Sequence, residues 1–274
     1  MMNYLNHTYW FFGLTFLCFS PITSGAATNL NFLGIATDQE NGEIIYREVH
    51  CMSPTDSWRE DNQPWQSKVI YITPQNKILA IKKLNFESSP DSLLSSTLSP
   101  KTVNPKWVPA YEFEHLDIGF RETISYTEGK LALRRKATSD ASWESRYYLL
   151  DDQNHSDSKD YIADAGFNNY IQNQLPRLLS GESLTVTYFS APRLDTITFK
   201  IKLTNVKDDL AYIQVYPQNP FIRWLVDPIN LIYEKASRKL LSFSGLTNVP
   251  ANPDKNFNAD IEYHYGGSLD EFCG

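Results

Sequence analysis

No Gly-x-Ser-x-Gly elbow, no His-Glu-x-x-His pair, no glycine-rich phosphate loop and no dinucleotide fingerprint occurs in this chain. Each absence removes the local signature of one chemistry: acyl transfer, zinc hydrolysis, nucleotide phosphate binding and hydride transfer. Positive charge is also short. With 25 Lys and Arg against 32 Asp and Glu the formal net charge is −7, so nucleic acid is not an expected partner, because displacing phosphate counterions needs a basic face. Beyond residue 27 the histidines His50, His115, His155 and His264 fall at no ligand spacing, and no metal or cofactor is expected. The acidic stretch Asp151 to Asp160 lacks the central glycine and closing glutamate of a calcium loop and reads as a solvated connection. Glycine, at 12, is outnumbered by Tyr (16) and by Phe (15), a bias towards strand formers.

Cysteine is rare as well: three in 274 residues. Cys18 lies in the apolar run Trp10 to Phe19, which has the length of a signal-peptide h-region and is followed by small residues, Ser24-Gly25-Ala26-Ala27. The run is short for a membrane span, and no Lys or Arg precedes it. The reading is an export signal over residues 1–27, cleaved to release a periplasmic protein, with an uncleaved anchor as the alternative. Bulky Phe16 and Leu17 before Cys18 do not suit a lipoprotein cysteine. Cleavage leaves Cys51 and Cys273, an even number in an exported chain, which predicts one disulfide; two free thiols are the alternative.

The remaining chain, 28–274, reads as one mainly β domain. Hairpins are expected at Asn31 to Thr37 with Ile44 to His50, about Asn41-Gly42, and at Lys68 to Thr73 with Ile78 to Phe86. A long surface loop is expected near 87–109, rich in Pro and Ser. Further strands are read at Ala110 to Leu116, Phe120 to Thr127, Lys130 to Arg135, Trp143 to Leu150, Thr196 to Leu203, Ala211 to Tyr216, Ile229 to Tyr233, Lys239 to Phe243 and Ile261 to Tyr265. The total is about ten to twelve strands by these pattern rules. Phe221 to Val226 reads as a buried apolar run interrupted by Arg223, and Asn248 to Asn258 as loop.

One stretch breaks the β pattern. Phe167, Tyr170, Ile171, Leu175, Leu178 and Leu179 recur at helical spacing, with Gln174 the polar intruder on that face. Asp164 is placed to be the N-cap and Gly181 the C-terminal stop, and Pro176 should kink the helix or split off its last turn. A single amphipathic helix among strands needs an apolar sheet face to lie on. The expected fold is therefore a large curved, half-barrel-like antiparallel sheet with one principal helix, Gly166 to Leu179, on its concave face.

Asp164-Ala165-Gly166-Phe167, Leu178-Leu179-Ser180-Gly181-Glu182, Pro192-Arg193-Leu194, Asp227-Pro228-Ile229-Asn230-Leu231-Ile232-Tyr233 and the run Arg238 to Asn248 resemble a family of uncharacterised exported bacterial proteins, a domain of unknown function. Proteins of this kind are similar to the lipoprotein-carrier fold, whose curved sheet wraps helices around an apolar hollow. The resemblance implies a periplasmic location and a lipid-like ligand, and supplies no reaction.

From the residues themselves, the helix face is the candidate wall of a hollow. Phe167, Tyr170, Ile171, Gln174, Leu175 and Leu178 are its candidate ligand-binding residues. Arg193 and Arg223 are candidate holders of an anionic head group, the alternative for each being a structural pair with a carboxylate such as Asp227. Glu112 and Glu114 share a strand face; they mark its wet side, or else serve as the carboxylates of a glycan hydrolase. His115, beside Tyr111 and Phe113, reads as a packing histidine. The expected role is non-enzymatic binding of a lipid or other apolar ligand. A scaffold that holds an envelope protein partner through an exposed sheet edge is the alternative.

Overall fold

The computed structural model describes residues 31–52, 66–86, 107–127, 129–149, 160–267 and 269–273. The expected signal peptide, most of the long loop near 87–109 and most of the acidic connection before Asp160 lie outside them. The strands are β1 (Phe32–Asp38), β2 (Ile44–Met52), β3 (Gln66–Ile72), β4 (Ile78–Asn85), β5 (Ala110–His115), β6 (Arg121–Thr127), β7 (Lys130–Lys136), β8 (Glu144–Leu149) and β9 (Asp160–Ile162). Helix α1 (Gly166–Leu179) follows, then β10 (Leu184–Ser190), β11 (Asp195–Lys207), β12 (Leu210–Pro217), the short helix α2 (Pro220–Leu225), β13 (Ile229–Glu234), β14 (Leu240–Asn252), β15 (Lys255–Tyr265) and α3 (Asp270–Cys273).

All 15 strands among the described residues join one sheet, in the order β8-β7-β6-β5-β4-β3-β2-β1-β15-β14-β13-β12-β11-β10-β9. Every described ladder is antiparallel except β9 on β10, which is parallel. Two meanders, β1 to β8 and β9 to β15, meet where β1 pairs with β15 from Phe32↔Tyr265 to Asp38↔Ala259. The sheet is curved and open, and its ends overlap. Tyr188 and Ser190 of β10 face the interior hollow. By strand alternation Phe189 points to the opposite side, where it meets Tyr148 of β8 at 5.1 Å and Tyr161 of β9 at 5.3 Å between ring centroids. The inner face of β7 and β8 therefore lies over the outward face of β9 and β10, pinned by Arg146 Nη1 to Asp195 at 3.1 Å and Arg135 Nη1 to the Pro192 carbonyl at 2.6 Å.

Helix α1 lies on the concave face over β10 to β13. Tyr170, Ile171, Leu175 and Leu178 are buried to within 1% and pack with Leu184, Ile201, Ile213, Leu231 and Tyr233. Burial stabilises by roughly 1.5–3 kcal/mol for each large side chain. Tyr170 donates to Asp160 Oδ2 at 2.6 Å and Tyr233 to Asn168 Oδ1 at 2.9 Å, so the two hydroxyls carried into this layer have partners. A second apolar layer fills the space within β1 to β7, and a third, outside β2 and β3, is covered by α3. There a disulfide joins Cys51 to Cys273, with Cα atoms 5.3 Å apart.

Several local expectations need correction. The N-cap of α1 is Ala165, not Asp164, whose carboxylate is drawn away to Lys82. Pro176 does not split off the last turn, since the helix runs on to Leu179, while Gly181 follows at φ +94 as the expected stop. Phe221 to Val226 is neither strand nor core: it forms α2, with Phe221 and Trp224 outside. The supposed loop Asn248 to Asn258 is strand for most of its length. Register shifts between Leu246 and Asn252 absorb Pro250 and the polar residues that disguised it.

Candidate functional site

A hollow of about 370 Å³ remains between the first turn of α1 and the concave sheet, within the range of about 300–1,000 Å³ common for small-ligand sites. Its space comes from the sheet: α1 covers β10 to β13, and the strands around the β1–β15 pairing turn aromatic side chains towards it.

One wall is aromatic. Phe32 stacks on His50 at 4.0 Å and on Tyr265 at 4.9 Å, and Tyr263 meets it edge-on at 5.9 Å. These rings come from β1, β2 and β15, brought together by the register Phe32↔His50 and Phe32↔Tyr265. Gly34 leaves room here: a Cβ would stand 3.0 Å from the Tyr263 ring and 3.2 Å from Glu48 Oε2, so both would have to give slightly. Phe199, Phe243 and Ile197 continue the apolar lining, and Phe167 closes it from α1.

The floor is polar. Lys82 Nζ lies 2.6 Å from Asp164 Oδ2, with both side chains almost fully buried. The ammonium also sits 5.5 to 6.0 Å from the ring centres of Phe113, Tyr111 and Tyr71. Asn248 Nδ2 donates to Asp164 Oδ2 and to the Tyr188 hydroxyl, each at 3.4 Å. Behind Lys82, Glu122 accepts from the Tyr111 hydroxyl at 2.9 Å. Glu48 Oε2 is 3.1 Å from His50 Nε2 and accepts from the Tyr263 hydroxyl at 3.3 Å.

Burial alone would pull the Lys82 ammonium down, but the charge and hydrogen bond of Asp164, aided by Glu122, outweigh it and hold its pKa above the usual lysine value. Glu122 goes the other way. Burial, with the Asp164 charge, pushes its carboxyl up to about 8 against the lowering pull of Lys82 and Tyr111. Near neutral pH the Lys82–Asp164–Glu122 group therefore holds one compensated ion pair and one protonated carboxyl. It offers dipoles and hydrogen bonds to a ligand head group more than net charge. Burial, with Asp164 and Glu122 beside it, raises the Tyr188 hydroxyl as well, keeping it protonated and able to donate.

Of the residues picked out from the sequence, Phe167 and Arg193 line the hollow. Tyr170, Ile171, Leu175 and Leu178 pack into the sheet instead, because the helical stripe that marks them faces β10 to β13. Gln174 is partly exposed and accepts from Arg177. Arg223 stands outside, its guanidinium 4.3 Å from the Tyr216 ring centre. Glu112 and Glu114 point away from the interior, Glu114 pairing with Arg121, and His115 is buried beside the inner-facing Phe113. Among the described residues no His, Cys, Asp and Glu cluster could hold a metal.

Lys82, Asp164, Glu122, Glu48 and Asn248 were not anticipated. Two carried a visible signal: Lys82 and Glu122 each interrupt the apolar face of an alternating strand. Their meeting, 40 positions apart and 82 from Lys82 to Asp164, follows only from the order of the strands.

No family model matches this chain, and no curated protein does. Among solved structures, a beta-barrel-like protein of domain of unknown function DUF1849 from Brucella abortus superposes with a TM-score of 0.47 at 8% identity, over 87% of this chain and 97% of that one. That likeness adds no argument about function, and similarity to the lipoprotein carriers is not shown by it.

Proposed function

We propose that this protein is a non-enzymatic component of the cell envelope, exported to the periplasm, that binds an apolar or lipid-like ligand in the hollow beside α1. The hollow itself carries the reading: an apolar, aromatic-walled space next to a filled core, with Lys82, Asp164, Asn248 and Glu48 among its lining as hydrogen-bonding groups. Native globular interiors are close-packed, so a mainly apolar space of this size is a feature that needs a use.

A fluorescent fatty acid added to delipidated protein tests it. The wild type should take up the probe in a saturable way. Ile197→Trp, which puts an indole into the hollow from β11, should weaken uptake roughly tenfold or more, because overfilling excludes ligand before it disrupts a half-buried site. Absence of uptake by the wild type, or equal uptake by a folded Ile197→Trp variant, counts against the reading. The scaffold alternative draws on β8, an edge strand whose Tyr147 and Leu149 are exposed.

A further inference from the structure

The two most exposed large apolar side chains among the described residues belong to one short helix: Phe221 is 81% exposed and Trp224 87%. Helix α2 holds them on a firm mount. Asn219 caps its start, its Oδ1 accepting from the Phe221 backbone N–H at 2.9 Å, and Gln218 N–H donates to the Thr198 carbonyl at 2.8 Å. Three residues apart on a helix, the two rings share one side. Ile222 and the adjoining Val226 line the hollow. The aromatics thus stand directly outside the wall of the apolar space.

Cations gather about Tyr216, beside this helix, in a chain of net charge −7. Arg223 lies 4.3 Å and Lys202 5.4 Å from the Tyr216 ring centre, and Lys200 is the cross-strand partner of Tyr216. The pairing Phe199↔Pro217 brings the turn that carries Arg193 to the same end of the sheet. Asp227 is the acid beside α2, and Asp195 on that turn is already paired with Arg146.

We infer that α2 is an interfacial anchor that docks on a lipid bilayer containing anionic head groups. Phe221 and Trp224 enter the boundary between head groups and acyl chains, while Arg223, Lys202 and Lys200 meet lipid phosphates. Tryptophan favours that boundary, and a basic, aromatic helix lying in the interface is how peripheral proteins hold a membrane surface. Docking in this pose sets Ile222 and Val226, and so the hollow, next to the lipid. The inference stands apart from the ligand reading, because a bilayer can be bound whether or not the hollow is filled.

Flotation with vesicles tests it. Wild-type protein should rise with vesicles of phosphatidylethanolamine and phosphatidylglycerol, and less with phosphatidylcholine alone. Phe221→Ser with Trp224→Ser should weaken association with both by roughly tenfold or more. Arg223→Gln and Lys202→Gln should each cost about fivefold on the anionic vesicles only. Probe uptake in vesicle-free buffer and the urea midpoint of the double serine variant should match the wild type. Wild-type protein that stays at the bottom of the gradient with both vesicles overturns the inference, as does a double serine variant that floats like the wild type. A concentration-dependent dimer abolished by the serine changes, with no vesicle binding, overturns it too by making α2 a contact between copies. Loss of probe uptake with flotation intact would sink the ligand reading alone.

Discussion

Glu122 shows how far a single side chain can shift the behaviour of this fold. It keeps its proton in the folded chain up to about pH 8, whereas an unfolded glutamate loses it near the ordinary carboxylate value. Between those two values the native state binds more protons than the unfolded state, so stability must fall as pH rises through the window. The slope approaches about 1.4 kcal/mol per pH unit at most. The contribution is fully present at lower pH and gone above about pH 8. Glu122→Gln keeps an acceptor for the Tyr111 hydroxyl and removes the titration. Urea midpoints measured from pH 5 to pH 9 should decline for the wild type and be flatter for the variant; parallel profiles would show that Glu122 ionises normally. Lys82 makes the contrast, since its charged form is favoured in the fold and stays so across the same range.

At the level of elements, α1 is seated by a close approach that no pattern reveals. A Cβ on Gly166 would lie 2.0 Å from the Trp107 carbonyl oxygen and 2.8 Å from Pro109 Cδ. Gly166→Ala must therefore push the helix start off the segment 107–109, whose Trp107 ring meets Tyr170 and whose carbonyl accepts from Ala163. The expected loss is about 1–3 kcal/mol, the size of other overpacking effects, read as a lower urea midpoint. A midpoint within experimental error of the wild type would mean that the segment yields freely. Legibility in the sequence varied among the elements for physical reasons. Helix α1 and β11 were readable because their apolar periods, near four and two, run long enough to stand out. Helix α2 was misread because six residues show no period and its aromatics face water, against the usual sense of hydrophobicity. The end of β14 was hidden by Pro250, Asn248 and Asn252, which a bulged strand near the hollow accommodates. In the site, Phe167 and Arg193 could be picked out from local context. The Lys82–Asp164–Glu122 floor could not, since it is assembled by pairings between distant strands.

For the molecule as a whole, the disulfide is a covalent link across 222 residues, between Cys51 and Cys273. It ties β2 to the short helix that follows β15, and it was predictable from cysteine number alone once the leader was set aside. In the chain-entropy account such a loop is worth up to about 5 kcal/mol, a ceiling that native strain lowers. Reduction, or Cys51→Ser with Cys273→Ser, should lower the urea midpoint by an amount equivalent to roughly 2–5 kcal/mol. Superimposable curves with and without reductant would show that the bond contributes nothing. Loosening α3 would also uncover Val49, Ile70 and Ile72 on the outer face.

The meeting of β1 with β15 also sets the order of events during folding. Every other described ladder joins strands that are neighbours in the sequence, so each meander can zip locally as its chain becomes available. The pairing of Phe32 with Tyr265 has to wait for the whole intervening chain, and its conformational search is the longest in the molecule. Until it closes, β1 and β15 are both bare edges, open to pairing with another copy. The hollow, whose aromatic wall is built from β1, β2 and β15, does not exist before that step. A ligand of the kind proposed could be held only after that step, and once bound it would help to hold the junction shut.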